Sequence, residues 1–400
     1  MNIHEYQAKK IISQYGIKIP NGKIAYTPLE AKKAASEVSA RGPWVLKAQI
    51  QSGARDKGHF KEKNSGKRSG IRLIKSKRQI QFEAEQMLGN TLVTPQTGTK
   101  GKVVTRVYVE AYQNVKKTFY TGLVIDRVKA SITLMVANID KHDITYIVAN
   151  QPEQVLRLEL DLQKGISSKQ IKEVAEYLAI NANHIKQLKK YLQGLFKAFI
   201  ENDAIMLEIN PAGIDYRGNI IALDAKLSID DKAMFRQKQI EPLFDESEIE
   251  ERELRAYKNG FQYSSFSGSI GCIVNGDGIA LAAMDLIRAK GWDTACFLNV
   301  KGGVDKDKIA SGIKLIVTNP RVEGILINVL GGFLRCNLLA EGIIAAASEV
   351  GLNVPLVVRF EGTNMEEAKL ILENSHLPVI IAEDMEDSVD KLIEAMEDSD

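Results

Sequence analysis

Hydrophobic and polar residues follow different patterns in the two halves of the chain. In the first half, from 103 to 148, hydrophobic residues recur at every second position, in the runs 103–109, 119–125 and 131–137. A period of two places successive side chains on opposite faces of a strand, so this stretch predicts an antiparallel sheet. Two helices, near 168–180 and 183–201, and then two strands, at 204–211 and 219–224, are predicted to follow.

Beyond residue 257, short apolar strands alternate strictly with helices. The predicted strands are 268–274, 295–300, 324–330, 355–359 and 379–382. Such alternation is typical of a parallel, doubly wound sheet, in which ligands bind outside the carboxyl ends of the strands. Three of those ends are rich in glycine, at 275–278, 301–303 and 331–332. Glycine-rich turns at helix N-termini are natural anion sites, although each is also explained as a tight turn.

The best domain boundary is the segment 239–256, which contains Pro242 and a dense run of acidic residues. We therefore predict a first region over 1–240, a linker over 241–256 and a second region over 257–400. The first region is expected to divide into two parts near residue 105. Its early strands, at 24–26, 44–50 and 71–74, are interleaved with helices at 3–15, 28–40 and 79–88.

Composition excludes several classes of protein. Lys and Arg total 53 and Asp and Glu total 51, a net charge of +2 that disfavours a nucleic-acid binder. Three scattered cysteines and five scattered histidines predict neither a disulfide framework nor a metal site built on histidine. No apolar run reaches the roughly 18 residues that span a bilayer, and the first residues do not resemble a signal peptide. We expect a cytoplasmic protein that does not contact a membrane.

The segment 51–78 carries ten basic residues against Asp56 and Glu62. It is expected to be a loop that helps to gather phosphates. A nucleic-acid contact is the alternative, but Phe60 is its single aromatic residue, whereas such surfaces interleave several.

The group of residues that most clearly suggests a binding site consists of Glu208, Asn210 and Asp224. Alternation along one strand places Glu208 and Asn210 on the same face, and Asp224 on the next strand can reach the same spot. Carboxylate and amide oxygens that converge in this way suit Mg²⁺ bound to nucleotide phosphates. A solvated strand face that ends in an Asn-Pro turn explains the same pattern.

Lys47 interrupts the apolar run 44–50. A buried ammonium needs an anionic partner, because burial of an unpaired charge is expensive. A phosphate is one candidate partner, and a lysine that extends its charged end to the surface is the alternative.

Several of these motifs, in the same order along the whole chain, resemble the β subunits of succinyl-CoA synthetases. They are Asn2-Ile3-His4-Glu5-Tyr6-Gln7-Ala8-Lys9, Gly42-Pro43-Trp44-Val45-Leu46-Lys47, Leu207-Glu208-Ile209-Asn210-Pro211, Asn275-Gly276, Gly331-Gly332-Phe333-Leu334-Arg335-Cys336-Asn337 and Asn353-Val354-Pro355. The resemblance implies an ATP-grasp N-terminal region followed by a flavodoxin-like domain. It also implies an α subunit that carries the phosphohistidine and the CoA site.

The resemblance further implies a role for individual residues. Glu208 would orient the incoming phosphohistidine, and Asn210 and Asp224 would bind Mg²⁺. The nucleotide, ATP or GTP, would be contacted by Lys47, Ala54, Arg55, Asp56, Glu110, Gln113 and Thr118. Asn275, Gly332, Phe333 and Leu334 would meet the active site of the α subunit, near a helix predicted to start at Phe333. The implied reaction joins succinate and CoA at the expense of a nucleoside triphosphate.

The chain departs from the family pattern mainly around the nucleotide. The family's Q-V-H-A-G-G-R-G-K corresponds to residues 49–57, where Gln51 replaces the histidine and Ala54 and Asp56 replace two glycines. Thr118 replaces an acidic residue. Two alternatives therefore stay open: a non-catalytic, regulatory partner of the α subunit, and a β subunit that serves another dicarboxylate such as malate.

Overall fold

A computed structural model describes residues 1–62, 68–139, 144–300, 303, 305–332 and 334–398. Its helices are α1 Glu5–Ser13, α2 Pro28–Val38, α3 Lys77–Glu85, α4 Ile144–Asn150, α5 Ser168–Tyr177, α6 Ile185–Glu201, α7 Glu251–Lys258, α8 Asp277–Ala289, α9 Lys306–Val317, α10 Cys336–Val350, α11 Met365–Asn374 and α12 Met385–Glu397. Its strands are β1 Gly22–Ala25, β2 Trp44–Ala48, β3 His59–Phe60, β4 Ile71–Ile74, β5 Thr91–Val93, β6 Lys102–Val103, β7 Val107–Ala111, β8 Val115–Asp126, β9 Ser131–Asn138, β10 Leu156–Leu160, β11 Ala204–Asp215, β12 Ile220–Ala222, β13 Lys226–Ile229, β14 Gln262–Ser265, β15 Ile270–Val274, β16 Thr294–Asn299, β17 Gly324–Gly331, β18 Leu356–Gly362 and β19 Val379–Ile381.

The chain divides into two compact units, Met1–Glu248 and Ile249–Asp400. The division falls inside the segment 241–256 that the sequence predicts as a linker. The first part of that segment is bound to its own unit, because His4 Nε2 lies 2.7 Å from Asp245 Oδ2.

The first unit contains two larger sheets. One has the strand order β1-β7-β2-β4 and is covered by α2 and α3. Thr27 starts α2 by accepting a hydrogen bond from the Glu30 amide, with Pro28 in the first turn. The other has the order β10-β9-β8-β11-β12, with β13 also paired to β11, and it carries α5, α6 and α1. Strands β3, β5 and β6 form a small third sheet.

The predicted antiparallel sheet over 103–148 is wrong in two respects. Strand β7 pairs with β1 and β2, with Val109 opposite Leu46, and so belongs to the other sheet. Residues 144–150 form helix α4 instead of a strand. The alternation of apolar and polar residues indicates which face of a strand is buried, but it does not indicate which strand pairs with it.

The second unit has the predicted doubly wound fold. Its strand order is β14-β16-β15-β17-β18-β19, and every pair is parallel except the edge pair β14–β16. Ile325 and Ile327 point into one hydrophobic core with α9 and α10, and Leu326 points into the opposite core with α8 and α12. Apart from β14, this is the flavodoxin-like order.

In the parts of the chain that the structure describes, no helix combines the length and the apolar character needed to cross a bilayer.

Candidate functional site

A cavity of about 550 Å³ lies in the first unit. It is lined by nine of the residues that the sequence predicts for the nucleotide, the metal and the phosphohistidine: Lys47, Ala54, Arg55, Asp56, Glu110, Gln113, Glu208, Asn210 and Asp224. These residues come from β2 and the loop after it, from β7 and the residues just beyond it, from β11, and from the turn between β12 and β13. Thr118 lies elsewhere, on β8 opposite Gly213, and does not line the cavity.

Lys47 is buried at the wall of this cavity and is fully paired. Its Nζ lies 2.6 Å from Glu5 Oε1 and 2.7 Å from Glu110 Oε2, and it donates to the Leu223 carbonyl at 2.6 Å. Burial alone would lower the pKa of Lys47, but Glu110 and Glu5 together raise it above its usual range. The sequence argument that this lysine needs an anionic partner is therefore correct, and protein carboxylates supply it.

Glu5, on α1, is the centre of a buried charge network. Its carboxylate also contacts Lys9 Nζ at 2.8 Å and Arg55 NH2 at 2.6 Å, and it accepts a hydrogen bond from Gln49. Burial alone would raise the pKa of Glu5, but Lys47, Lys9 and Arg55 hold it well below its usual range. Glu5 is therefore a permanent anion at neutral pH.

Arg55 extends from the loop after β2 into the same network. Its guanidinium donates to the Ala48 carbonyl at 2.8 Å and lies 2.7 Å from Asp224 Oδ2. Ala54, just before it, has a φ of +54°, the left-handed conformation that glycine adopts more easily. Asp56, just after it, is exposed. The loop backbone is held by Gln96, whose Oε1 accepts a hydrogen bond from the Gly53 amide at 2.7 Å.

Glu208, Asn210 and Asp224 come together as the sequence predicts. Asn210 Nδ2 donates to Glu208 Oε1 at 3.4 Å, and the Asn210 amide donates to the Asp224 carbonyl at 3.3 Å. Asp224 itself lies in the turn between β12 and β13 and not within a strand. Two carboxylates and an amide oxygen form a hard-oxygen donor set, which suits Mg²⁺.

Burial raises the pKa of Glu208. The cross-strand neighbour Lys226 and the Asn210 hydrogen bond lower the pKa by a smaller amount, so the net shift is upward. The carboxylate therefore holds a proton at higher pH than an exposed glutamate.

The residues predicted for contact with an α subunit lie in the second unit. Asn275 joins the ends of two neighbouring strands, because its Nδ2 donates to the Leu330 carbonyl at 2.5 Å and its Oδ1 accepts from the Leu330 amide at 2.9 Å. Gly332 is exposed, and Phe333 lies outside the described residues.

Two expectations for this turn need correction. Leu334 is 2% exposed as a whole residue and belongs to the core of the unit, so it is not available for contact with a partner. Helix α10 begins at Cys336 rather than near Phe333. The Cys336 amide donates to the Thr363 carbonyl at 3.1 Å instead of to a carbonyl one helical turn earlier.

Sequence reasoning assigned no role to Glu5, Lys9 or Gln96. Glu5 and Lys9 are spaced i, i+4 on α1, which was an available signal. Such pairs usually lie on exposed helix faces, so the spacing alone does not indicate a buried site.

Family models match both units. Residues 2–214 match the ATP-grasp domain, and residues 273–393 match the CoA-ligase domain.

Curated relatives match over the full length. The succinate–CoA ligase [ADP-forming] subunit β of Acidiphilium cryptum is 44% identical over 400 residues, which covers 100% of both chains. The protein of the same name from Paracoccus denitrificans is 44% identical and covers 99% of this chain and 100% of its own.

A solved structure shares the fold. The ATP citrate lyase from Methanothrix soehngenii, solved with citrate and coenzyme A, has a TM-score of 0.71 and 16% identity and covers 98% of this chain and 99% of its own. At that identity the likeness shows the fold alone.

Proposed function

This chain belongs to the family of ADP-forming succinate–CoA ligase β subunits, and from that membership we propose that the cavity of its first unit binds a magnesium nucleotide for transfer of a phosphoryl group to a histidine of an α subunit. The family is a family of ligases, and the chain is an enzyme subunit. The observation that carries the proposal is the convergence of nine predicted residues, between positions 47 and 224, on one cavity.

Six of the predicted residues of the cavity receive a task in this proposal. Lys47 and Arg55 neutralise the phosphates of the nucleotide. Asn210 and Asp224 would hold Mg²⁺, which in phosphoryl transfer neutralises the charge that develops on the phosphate oxygens. Glu208 accepts a hydrogen bond from the incoming imidazole and orients it. Gln113 and the backbone near Glu110 contact the nucleoside.

In this proposal, binding of the metal changes the contacts of Asp224. Its Oδ2 is paired with Arg55, and its Oδ1 accepts a hydrogen bond from the Ala225 amide at 2.8 Å. A divalent cation beside an unshielded guanidinium is repelled, so Asp224 has to exchange Arg55 for the metal, while Arg55 keeps Glu5 and gains the phosphates in place of Asp224.

The second unit completes the reaction with the α subunit. We propose that Asn275 positions the Gly331–Gly332 turn, and that the exposed Gly332 faces the site where the phosphohistidine meets succinate and CoA.

The test is phosphotransfer in the complex of this chain with its α subunit. Mg²⁺ and γ-labelled ATP, or GTP, are added, and label on the α-subunit histidine is measured. We expect labelling in the wild type and in the exposed control Asp307→Asn, and loss of labelling in Asp224→Asn and Asn210→Ala. Discharge of the label by CoA with succinate, but not with malate, identifies the acid.

Absence of label with either nucleotide, from a folded and tightly bound pair, would contradict the proposal and favour the non-catalytic alternative. Thermal shift with the same nucleotides supports that decision, because a ligand that binds the folded state raises its melting temperature.

A further inference from the structure

Two buried lysines share one set of acceptors behind the nucleotide cavity. Lys9 Nζ lies 2.8 Å from Glu5 Oε1, donates to the Leu223 carbonyl at 2.7 Å, and is paired with Glu110 Oε1. Lys47 Nζ contacts the same two carboxylates and the same carbonyl. Either ammonium can therefore hold these three acceptors without the other.

The two lysines differ in access to the cavity. Lys47 lines it, whereas Lys9 is 0% exposed, lies on α1 and does not line it. A ligand in the cavity can therefore attract Lys47 but cannot be contacted by Lys9.

The charges of the network balance. Glu5, Glu110 and Asp224 face Lys9, Lys47 and Arg55, three carboxylates against three cations. Glu5 has a further cation in Arg55, while Glu110 is paired with the two lysines. Once Lys47 moves away, Lys9 is therefore the cation that still pairs with Glu110, whereas Glu5 also has Arg55.

We propose that Lys9 is a positioning residue for nucleotide binding, which takes over the charge of Glu110 and Glu5 and so allows Lys47 to turn to the phosphates. The inference rests on the proposed function, because it needs a phosphate that attracts Lys47. A buried carboxylate without a cationic partner strongly destabilises the protein. Without Lys9, Glu110 would be left in that state each time Lys47 turned to a bound nucleotide. With Lys9 in place, the exchange of partners leaves no unpaired carboxylate.

A purely structural role for Lys9 makes a different prediction. It would stabilise the fold but leave nucleotide affinity unchanged among variants that are fully folded. The two roles are separated by measuring affinity at a temperature where circular dichroism shows each variant to be folded.

The experiment measures the dissociation constant of Mg·ATP by calorimetry on the complex with the α subunit. Lys9→Met, which keeps length but removes the charge, is expected to raise the constant about tenfold or more. Lys9→Arg is expected to stay within about threefold of the wild type, and so is the matched exposed control Lys172→Met on α5. In steady-state assays of Lys9→Met, the nucleotide KM should rise while kcat stays nearly constant.

A double-mutant cycle locates the effect. In the E110Q background, Lys9→Met should cost little affinity, because Glu5 keeps Arg55 after Lys47 departs. In the E5Q background, Lys9→Met should keep most of its cost, because Glu110 is then left alone. Both double variants are balanced in charge, so their comparison remains valid if Lys9→Met alone does not fold.

Equal costs of Lys9→Met in the two backgrounds, each measured as the affinity of the double variant against that of E110Q or E5Q alone, would overturn the inference, as would wild-type affinity in folded Lys9→Met. A wild-type complex that binds no nucleotide would instead refute the proposed function itself.

Discussion

Replacement of Glu5 by glutamine tests whether the charge network is as tightly balanced as the structure indicates. The side chain of Glu5 is 3% exposed and contacts Lys47, Arg55 and Lys9 within 2.8 Å. Glu5→Gln keeps the shape but leaves three buried cations against two carboxylates. Removal of one partner from a buried ion pair costs about 3–5 kcal/mol.

That cost translates into a large change in melting temperature. For a unit of this size, each kcal/mol shifts the melting temperature by about 2–4 °C, so a decrease of about 6–20 °C is expected. Differential scanning calorimetry of the full chain at pH 7 measures it for the transition of the first unit. Glu173→Gln, an exposed substitution on α5, is the matched control. Its free energy of unfolding should stay within about 0.5 kcal/mol of the wild-type value.

The pH dependence gives a second check on the same variant. The pKa of Glu5 is depressed in the folded state, where Lys47, Lys9 and Arg55 outweigh the effect of burial. The stabilisation that the ionised Glu5 carboxylate gives to the folded state is therefore complete above its unfolded-state pKa of about 4.3. This stabilisation is lost as the pH falls through the folded-state pKa. The difference in stability between wild type and Glu5→Gln should narrow only in acid. Melting temperatures that agree within about 2 °C at pH 7 would refute the reasoning.

Two further predictions concern the second unit. Asn275→Ala removes both hydrogen bonds to the Leu330 backbone, and since water can partly replace them the cost should be about 1 kcal/mol. Hydrogen exchange of the Leu330 amide should then be about fivefold faster, and unchanged exchange would count against the positioning of this turn by Asn275. Gly362→Ala should destabilise the unit by about 2 kcal/mol or more, because φ is +97° and a Cβ would lie 2.1 Å from the Gly331 oxygen. Gly278→Ala, where a Cβ meets nothing within 4 Å, is the control, and equal melting temperatures for the two variants would contradict the strain argument.

The sequence predicts the second unit well because its signals are local. The central strands β15, β16 and β17 are buried on both faces, and each apolar strand is followed by a helix, so chain order and handedness leave few possible topologies. The edge strand β14 lacks such a signal, since its Gln262, Ser264 and Ser265 are polar.

The first unit is harder to predict because its pairings are distant in sequence. The alternation in β7 gives its buried face, but its partner β2 ends some 59 residues before β7 begins. In the same way, the position of Lys47 in an apolar run shows that it needs an anion. The identity of that anion depends on Glu5, 42 residues away, and on the placement of α1.

The candidate site shows the same limit. Glu208 and Asn210 are neighbours on one strand, so their shared face follows from alternation alone. Leu334 lies in a motif that suggests contact with a partner, and only the packing of the core reveals that its side chain points inward.

The wide spacing of the charge network has a consequence for the way the chain folds. Its six members come from positions 5, 9, 47, 55, 110 and 224, and the carbonyl that both lysines share belongs to Leu223. Contacts between residues so far apart carry a large loop-closure cost and form late in folding. While the chain leaves the ribosome, α1 emerges first but has to wait for more than two hundred further residues before its charges are matched. The charge network is therefore complete only when the chain has been made as far as Asp224, so a product truncated before that point would keep unmatched charges on α1.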